Sequence, residues 1–384
     1  MHIVYIITKL ELGGAQKVCL SLFNNMLAQN ISASLITSDQ GPLLESVKDN
    51  PNVFTINALK REVGLFSWWQ EIKAFGTMIS ILKKLKKQHP KIVVHTHSTK
   101  AGILGRWAAL FAGIPHRVHT VHGYGFHEHQ AWIPWLAIFT AELITAPLTS
   151  HFVCVSEKDQ LKGKQLLPKF SGSSSIIRAA VADVSFYPAL LRQGFEGQAT
   201  HNTPFIIGSV SCFKPQKNLL DLIDAFALLV ARTTTPIELH IIGDGTMRIE
   251  IERRIHFHNL RDKVLLLGWQ SNVHQFMRDW SLYAMSSLWE GLPCSVVEAR
   301  LCKLPVVCYN VGGIYEIIKD HHNGILVPPG NVKLLAEALY EYIENKTLMN
   351  TATSYNDNLS EFYEQAMIQH HTLLYQSLTK TEQL

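Results

Sequence analysis

Charge, paired cysteines and an uninterrupted apolar run are what this 384-residue chain is short of. Only 17% of its residues are charged and 47% are hydrophobic, which leaves ample apolar surface for large cores and excludes a disordered chain. Its six cysteines, Cys19, Cys154, Cys212, Cys294, Cys302 and Cys308, show no C-x-x-C spacing, and a chain this long needs no disulfide staples. A reducing cytosol is the expected compartment. No basic stretch or small-residue cleavage site accompanies the first apolar run, His2–Ile7, so secretion is not expected. The nearest approach to a membrane span is Ala131–Thr149, 19 residues whose one charge is Glu142 and which Pro134 and Pro147 interrupt. A spanning helix wants about 20 apolar residues without such breaks, so a buried or interface-lying helix is expected instead. Internal repeats and low-complexity tracts are absent too.

What is present is a long alternation of strand-like and helix-like patterns, and the length predicts two domains. Strands are expected at His2–Ile7, Ser32–Ile36, Ile92–Thr96, Arg117–Val121 and Phe152–Val155, then at Phe205–Val210, Glu238–Ile242, Val264–Leu267, Leu282–Met285, Pro305–Tyr309 and Gly324–Val327. Periods near 3.6 lie between them, for example Leu219, Leu220, Ile223, Ala227 and Val230, ended by Thr233-Thr234-Thr235-Pro236. Two consecutive βα series predict two parallel-sheet α/β domains, residues 1–185 and 203–358, with a ligand cleft at the C-terminal strand edges. Their junction is the irregular stretch Ala182–Pro204; residues 359–384 form a last helix, Glu361–Leu378 at its centre, expected to pack back on the first domain.

Lys and Arg exceed Asp and Glu by 35 to 31, and the excess is confined to residues 1–150, which hold 14 basic against 8 acidic residues. That is too little for a nucleic-acid footprint but suits an anionic membrane surface or a phosphorylated ligand.

Four features sit in loops after strands. Leu12-Gly13-Gly14-Ala15-Gln16-Lys17 follows the first strand, where paired glycines admit a ligand to the backbone and a helix N-terminus offers N–H groups to an anion; a plain tight turn is the alternative. No third glycine follows at the dinucleotide spacing, which disfavours hydride transfer. In Glu290-Gly291-Leu292-Pro293-Cys294-Ser295-Val296-Val297-Glu298, Pro293 is expected in the first helical turn, so that the 292–296 amides face a phosphate while Glu290 and Glu298 accept sugar or ribose hydroxyls. An N-cap helper and a solvated face would look similar. Lys214 and Lys217, three apart after another strand, can neutralise a diphosphate as point charges, or be ordinary solvated lysines. Finally, nine of the 19 histidines fall between His89 and His151. His95 and His97 alternate on a strand and could chelate a metal, but no Cys or carboxylate completes a set and no D-x-D is present. No metal site is therefore expected, and His122, beside Gly123, is read as a polar group presented to the cleft.

Taken together these segments resemble the retaining glycosyltransferases of family 4, whose GT-B fold is two facing Rossmann-like domains with an interdomain cleft. The resemblance spans nearly the whole chain, from Gly13-Gly14-Ala15 through His95-Thr96-His97, His119-Thr120-Val121-His122-Gly123, Lys214-Pro215-Gln216-Lys217, Ile242-Gly243-Asp244-Gly245 and Glu290–Glu298 to Val311-Gly312-Gly313 and Gly324-Ile325-Leu326-Val327-Pro328-Pro329-Gly330. It implies transfer of a hexose-type sugar from a nucleotide diphosphate to an acceptor with retention, without metal or cofactor. By the same resemblance, Lys217 grips the diphosphate and Glu290 contacts the donor sugar, and Glu298 holds the ribose. Gly14 and His122 face the diphosphate and sugar; Gly243 and the residues from Leu292 and Pro293 through Cys294, Ser295 and Val296 complete the donor site. An Arg usually stands five residues before the lysine; this chain has Cys212 there, with Lys214 as the substitute, and Gln16 replaces a common Glu.

The acceptor expected by resemblance is a saccharide, lipid-linked, in surface polysaccharide or glycolipid synthesis. Ile81–Lys91 sets Lys83, Lys84, Lys86, Lys87 and Lys91 around Leu82 and Leu85, preceded by Trp68 and Trp69; with the apolar Trp132–Leu148 segment this suits peripheral contact with the inner face of the plasma membrane, and a solvated helix face is the alternative. The alternative from another class is a GT-B nucleotide-sugar epimerase.

Overall fold

The computed structural model describes residues 1–59, 68–128, 130–179 and 204–380. The chain forms two compact units, Met1–Ala180 with Glu364–Leu384, and Val181–Tyr363. The expected junction around 185–203 lies outside the described residues, and the second unit runs to Tyr363 rather than 358.

In the first unit seven strands, β1 (His2–Ile6), β2 (Ser32–Thr37), β3 (Val53–Thr55), β4 (Ile92–His97), β5 (His116–Val121), β6 (His151–Cys154) and β7 (Ser174–Ile176), form one sheet ordered β3-β2-β1-β4-β5-β6-β7. All its pairings are parallel. β3 and β7 were not expected: each is a three-residue edge strand, too short to show a period. β1, β2 and β4 read as near-continuous apolar runs because both faces are covered. On one face α2 (Trp68–Gln88) and α3 (Thr99–Phe111) bury Ala74, Met78, Leu82, Leu85, Ala101 and Ala108 against Val4, Ile6 and Val94. On the other lies α1 (Gly14–Ala28), joined by the last helix, α13 (Glu364–Lys380), which contacts α1 and β4. α4 (Trp132–Thr145) follows β5 and packs on α3, and α5 (Glu157–Leu166) follows β6.

Leu82 and Leu85 are core residues, 0% and 5% exposed, so they cannot join the lysines in a membrane-facing surface; period 3.6 turns them inward and Lys83, Lys84 and Lys87 outward. Lys91 lies past the helix, its carbonyl accepting from the His2 amide.

The second unit repeats the plan with β8 (Phe205–Val210), α6 (Leu219–Val230), β9 (Ile237–Ile242), α7 (Arg248–Phe257), β10 (Val264–Leu266), α8 (Val273–Asp279) and β11 (Leu282–Met285), then α9 (Cys294–Leu301), β12 (Val306–Tyr309), α10 (Ile314–Ile317), β13 (Gly324–Val327), α11 (Val332–Glu344) and α12 (Lys346–Ser354). Its parallel sheet is ordered β10-β9-β8-β11-β12-β13. In each sheet the order reverses beside the first strand, between β1 and β4 and between β8 and β11, and ligands of open α/β sheets bind outside such switch points.

Candidate active site

The loops at the switch point of the second sheet carry Lys217 and Glu290. After β8 the chain is zipped to the turn after β9: the Ser211 amide donates to Ile242 O at 2.9 Å and the Phe213 amide to Asp244 O at 2.9 Å. This closeness demands glycine. A Cβ on Gly243, whose φ is +130°, would lie 1.9 Å from Ser211 O, which gives Gly243 a packing role of its own beneath the lysine loop. Lys214 then opens a short 3-10 turn, Pro215–Lys217, ended by Asn218 in the left-handed region at φ 45°. The end of β11 is tied to that turn, because Ser286 Oγ reaches the carbonyls of Lys217 and Asn218 at 3.2 and 2.9 Å and the Leu288 amide donates to Gln216 O.

The result is an ion pair between Lys217 Nζ and Glu290 Oε1 at 2.5 Å. Both side chains are largely shielded, Lys217 at 20% and Glu290 at 8% exposure. Gln216 Nε2 braces the acid by donating to Trp289 O at 2.8 Å and reaching Glu290 Oε2 at 3.5 Å. From the other side, Gly312 at φ +58° packs so closely that a Cβ there would lie 2.2 Å from Glu290 O, and the Gly313 amide donates to Gly291 O at 2.7 Å. The glycine pair after β12 thus clamps the backbone of the catalytic candidate.

The helix end at Pro293 differs in detail from expectation. Pro293 is the N-cap, not a residue of the first turn, and carries no N–H. The Val296 amide is used inside the turn, donating to Pro293 O at 3.0 Å, a tightened end that satisfies one of the otherwise orphaned donors. Pro293 and Val296 therefore offer no amide to a phosphate. Ser295 Oγ is bonded by the Tyr283 hydroxyl at 2.8 Å. The first turn of α9 holds no acid, so no carboxylate within that turn opposes an anion at the positive end of its dipole. Glu298 sits one turn further along, half-buried. Arg300, which the sequence did not single out, anchors the helix: it is buried and forks onto Asp357 through Nε and Nη2 at 3.1 and 2.8 Å.

In the first unit, Gly13 caps α1 and Gly14 is its exposed first residue. Gln16 folds back over this end, its Oε1 2.5 Å from where a Gly13 Cβ would stand, and this first turn also lacks an acid. Thr8 and Ser98 hydroxyls join the loops after β1 and β4 at 2.8 Å.

Between β4, β5 and α13 lies a run of imidazoles, with His95 and His97 buried and His122 half-buried. His122 Nε2 is 2.9 Å from His97 Nδ1; the rings of His97 and His95 are 4.3 Å apart. His95 in turn bonds the Tyr375 hydroxyl at 2.6 Å and Thr120 Oγ1 at 2.7 Å. Burial, then the neighbouring His371, pushes His122 down to about 3; burial is likewise the main reason that His95 and His97 lie well below the usual histidine range. All three are neutral at neutral pH. A neutral imidazole both donates and accepts, so His122 can present one nitrogen to a ligand while His97 holds the other. His95 and His97 share a face, but both His95 ring nitrogens are engaged by Tyr375 and Thr120 and His97 Nδ1 by His122, and among the described residues no three His, Cys, Asp or Glu side chains are grouped to hold a metal. The H-x-H alternation was the visible sign of this row; Tyr375, 280 residues away in sequence, had none.

Residues 12–161 match the profile of Glycosyltransferase Family 4, and residues 193–363 that of Glycosyl transferases group 1. The chain is a family 4 glycosyltransferase of the GT-B fold. This glycosyltransferase is 29% identical over 341 residues, 88% of its own length and 86% of the relative's, to the UDP-Gal:alpha-D-GlcNAc-diphosphoundecaprenol alpha-1,3-galactosyltransferase of Escherichia coli. It is 23% identical over 330 residues, 84% of its length and 83% of the relative's, to the capsular polysaccharide biosynthesis glycosyltransferase CapM of Staphylococcus aureus. Among solved structures, Anabaena HepE in complex with UDP-glucose shares the fold at a TM-score of 0.78 and 20% identity, covering 98% of this chain and all of that one. The Escherichia coli and Staphylococcus aureus relatives are named as glycosyltransferases, and the epimerase alternative finds no support among these comparisons.

Proposed function

We propose that this glycosyltransferase moves a hexose from a nucleotide diphosphate donor to a lipid-linked saccharide, with retention and without a metal ion, in building a surface polysaccharide. The observation that carries the reading is the Lys217–Glu290 pair at the switch point of the second sheet, beside the acid-free N-terminus of α9. Lys217, helped by Lys214, takes the diphosphate, and the amides at the head of α9 share its charge. Glu290 accepts hydrogen bonds from hexose hydroxyls and Glu298 from the ribose. Gly14 and His122 of the first unit are assigned to the diphosphate and the sugar. The lipid-linked acceptor is supported by the relatives, the Escherichia coli enzyme being named for a diphosphoundecaprenol acceptor.

In the proposed front-face displacement the bond from the sugar C1 to the β-phosphate oxygen breaks as the acceptor oxygen bonds C1 on the same face. The acceptor's proton passes to the leaving phosphate oxygen. Lysine and helix-end amides stabilise the charge that develops there, the preorganised electrostatics that commonly form the largest catalytic contribution. The chain acts at the inner face of the membrane, where the outward lysines of α2 meet anionic headgroups, each worth about 1 kcal/mol.

The test is incubation with UDP-, GDP- and ADP-sugars and an undecaprenyl-diphosphate saccharide, with the product's anomeric configuration read by NMR. Transfer with retention, unchanged by EDTA, is expected; inversion, or turnover lost on chelation and restored by a divalent ion, overturns the corresponding part.

A further inference from the structure

Helix α4 is built inside out. In an ordinary surface helix of this chain, α11, Leu335, Leu339 and Tyr342 face the core and Lys333, Glu337, Glu341 and Glu344 face water. In α4 only Glu142 and Thr145 are buried. Its one ionisable side chain, Glu142, is turned inward onto Arg106 at 2.7 and 2.9 Å, the pair 6% and 0% exposed. Outward stand Trp132 at 72%, Ile133 at 62%, Leu136 at 47% and Ile144 at 58% exposure, with no charge among them. Apolar surface of this kind, presented contiguously, marks a site of contact.

Its surroundings identify the partner. α2, α3 and α4 each link parallel strands of one sheet and run the same way, α3 touching both neighbours. The rings of Phe75 on α2 and Phe111 on α3 lie 5.9 Å apart, and the Trp107 indole N–H on α3 donates to Thr145 on α4 at 3.0 Å. At the leading ends of the layer, exposed Trp69 and Ile72 on α2 add to the apolar set; toward its trailing end α2 exposes Lys83, Lys84 and Lys87. Apolar and aromatic side chains at one end of a helical layer and a lysine cluster toward the other end of its α2 helix, on the far side of α3 from α4, are together complementary to the interface of an anionic bilayer. At 14 residues, about 21 Å, α4 can lie in that interface but not cross it, and no helix among the described residues is long and apolar enough to span a membrane. The N-terminus of α4 follows the loop of His122.

We propose that the outward face of α4 inserts into the headgroup–acyl boundary of an anionic membrane and seats the first unit on the lipid that carries the acceptor. This deepens the membrane contact proposed above and rests on it for the acceptor's role. The lysines supply salt-sensitive attraction, and α4 supplies the part that salt does not remove.

The test compares wild-type protein with the triple variant W132S/I133S/L136S on phosphatidylglycerol–phosphatidylcholine vesicles at 0.1 M and 0.5 M NaCl. The substituted residues are exposed, so thermal unfolding is expected to be unchanged. The expected result is at least tenfold weaker partitioning of the variant at both salt concentrations, with transfer to a water-soluble short-chain acceptor unchanged. Equal partitioning of variant and wild type overturns the proposal. So does a wild-type dimer that the variant converts to monomers without change in vesicle binding, because a second copy would then cover the face. Failure of the transferase reading shows separately, as a wild-type protein that binds vesicles yet transfers no sugar to the short-chain acceptor.

Discussion

Lys217 and Glu290, 73 residues apart in sequence, hold each other at 2.5 Å at the second unit's switch point. The two groups assigned to donor phosphate and donor sugar thus orient one another before any donor binds. Glu290→Ala should abolish transfer, by roughly 10²-fold or more, while nucleotide diphosphate binding by calorimetry stays nearly intact because the acid's contacts are with the hexose. Weak nucleotide binding together with normal turnover would reverse the assignment.

Lys217→Ala should cost more transfer than Lys214→Ala. It removes the phosphate's point charge and also leaves a largely shielded Glu290 without its ammonium, a charge-assisted contact worth about 1.5 to 3 kcal/mol. Equal, small losses in kcat/KM would mean that the helix-end amides carry the diphosphate without either lysine.

Glu298→Ala acts on the nucleotide. Losing one charge-assisted hydrogen bond of about 1.5 to 3 kcal/mol should weaken nucleoside diphosphate affinity by roughly 10- to 150-fold. Calorimetric titration measures it directly, and an unchanged Kd removes Glu298 from the ribose site.

The histidine run, together with His2 on β1, which bonds Ser32 and Ser34, predicts a pH signature. Burial lowers His122 to about 3 and His2 and His371 to about 4, so the unfolded chain binds these protons first. Their contribution is complete above the ordinary histidine value of about 6.5 and is lost as pH falls toward 4 and 3, at about 1.4 kcal/mol per unit for each group. Denaturant titrations from pH 7.5 to 4.5 should show stability falling in that direction. The kcat/KM profile should show no inflection near 6.5 from His122, which stays neutral there; an inflection that His122→Gln abolishes would contradict the neutral state.

Glu142→Ala should destabilise the first unit by about 3 to 5 kcal/mol, because it leaves the fully buried Arg106 guanidinium without its carboxylate. Thermal unfolding reads this; a loss below 1 kcal/mol would mean that Thr149 and the Gly102 carbonyl, its other partners, suffice.

Much of the second unit was legible because its signals are local. The Leu219–Val230 period and the strand runs are set by φ, ψ and sequence neighbours, and the structure returns them where the chain predicts them. The helix end at Pro293 was readable only to within a residue, since propensity alone does not separate N-cap from first turn. β3 and β7 were invisible because pairing to a neighbour, not their own three residues, makes them strands.

By itself the sequence determined the two βα series, the glycine turns and the side-chain chemistry available at their ends, because period, sterics and residue type act within a few positions. Tertiary structure decided which of those groups meet. Lys217 faces Glu290, His97 holds His122, Tyr375 from the last helix reaches His95, and Glu142 turns inward to leave α4 bare. Each of these depends on strand order and packing across tens to hundreds of residues, where no local pattern carries the information.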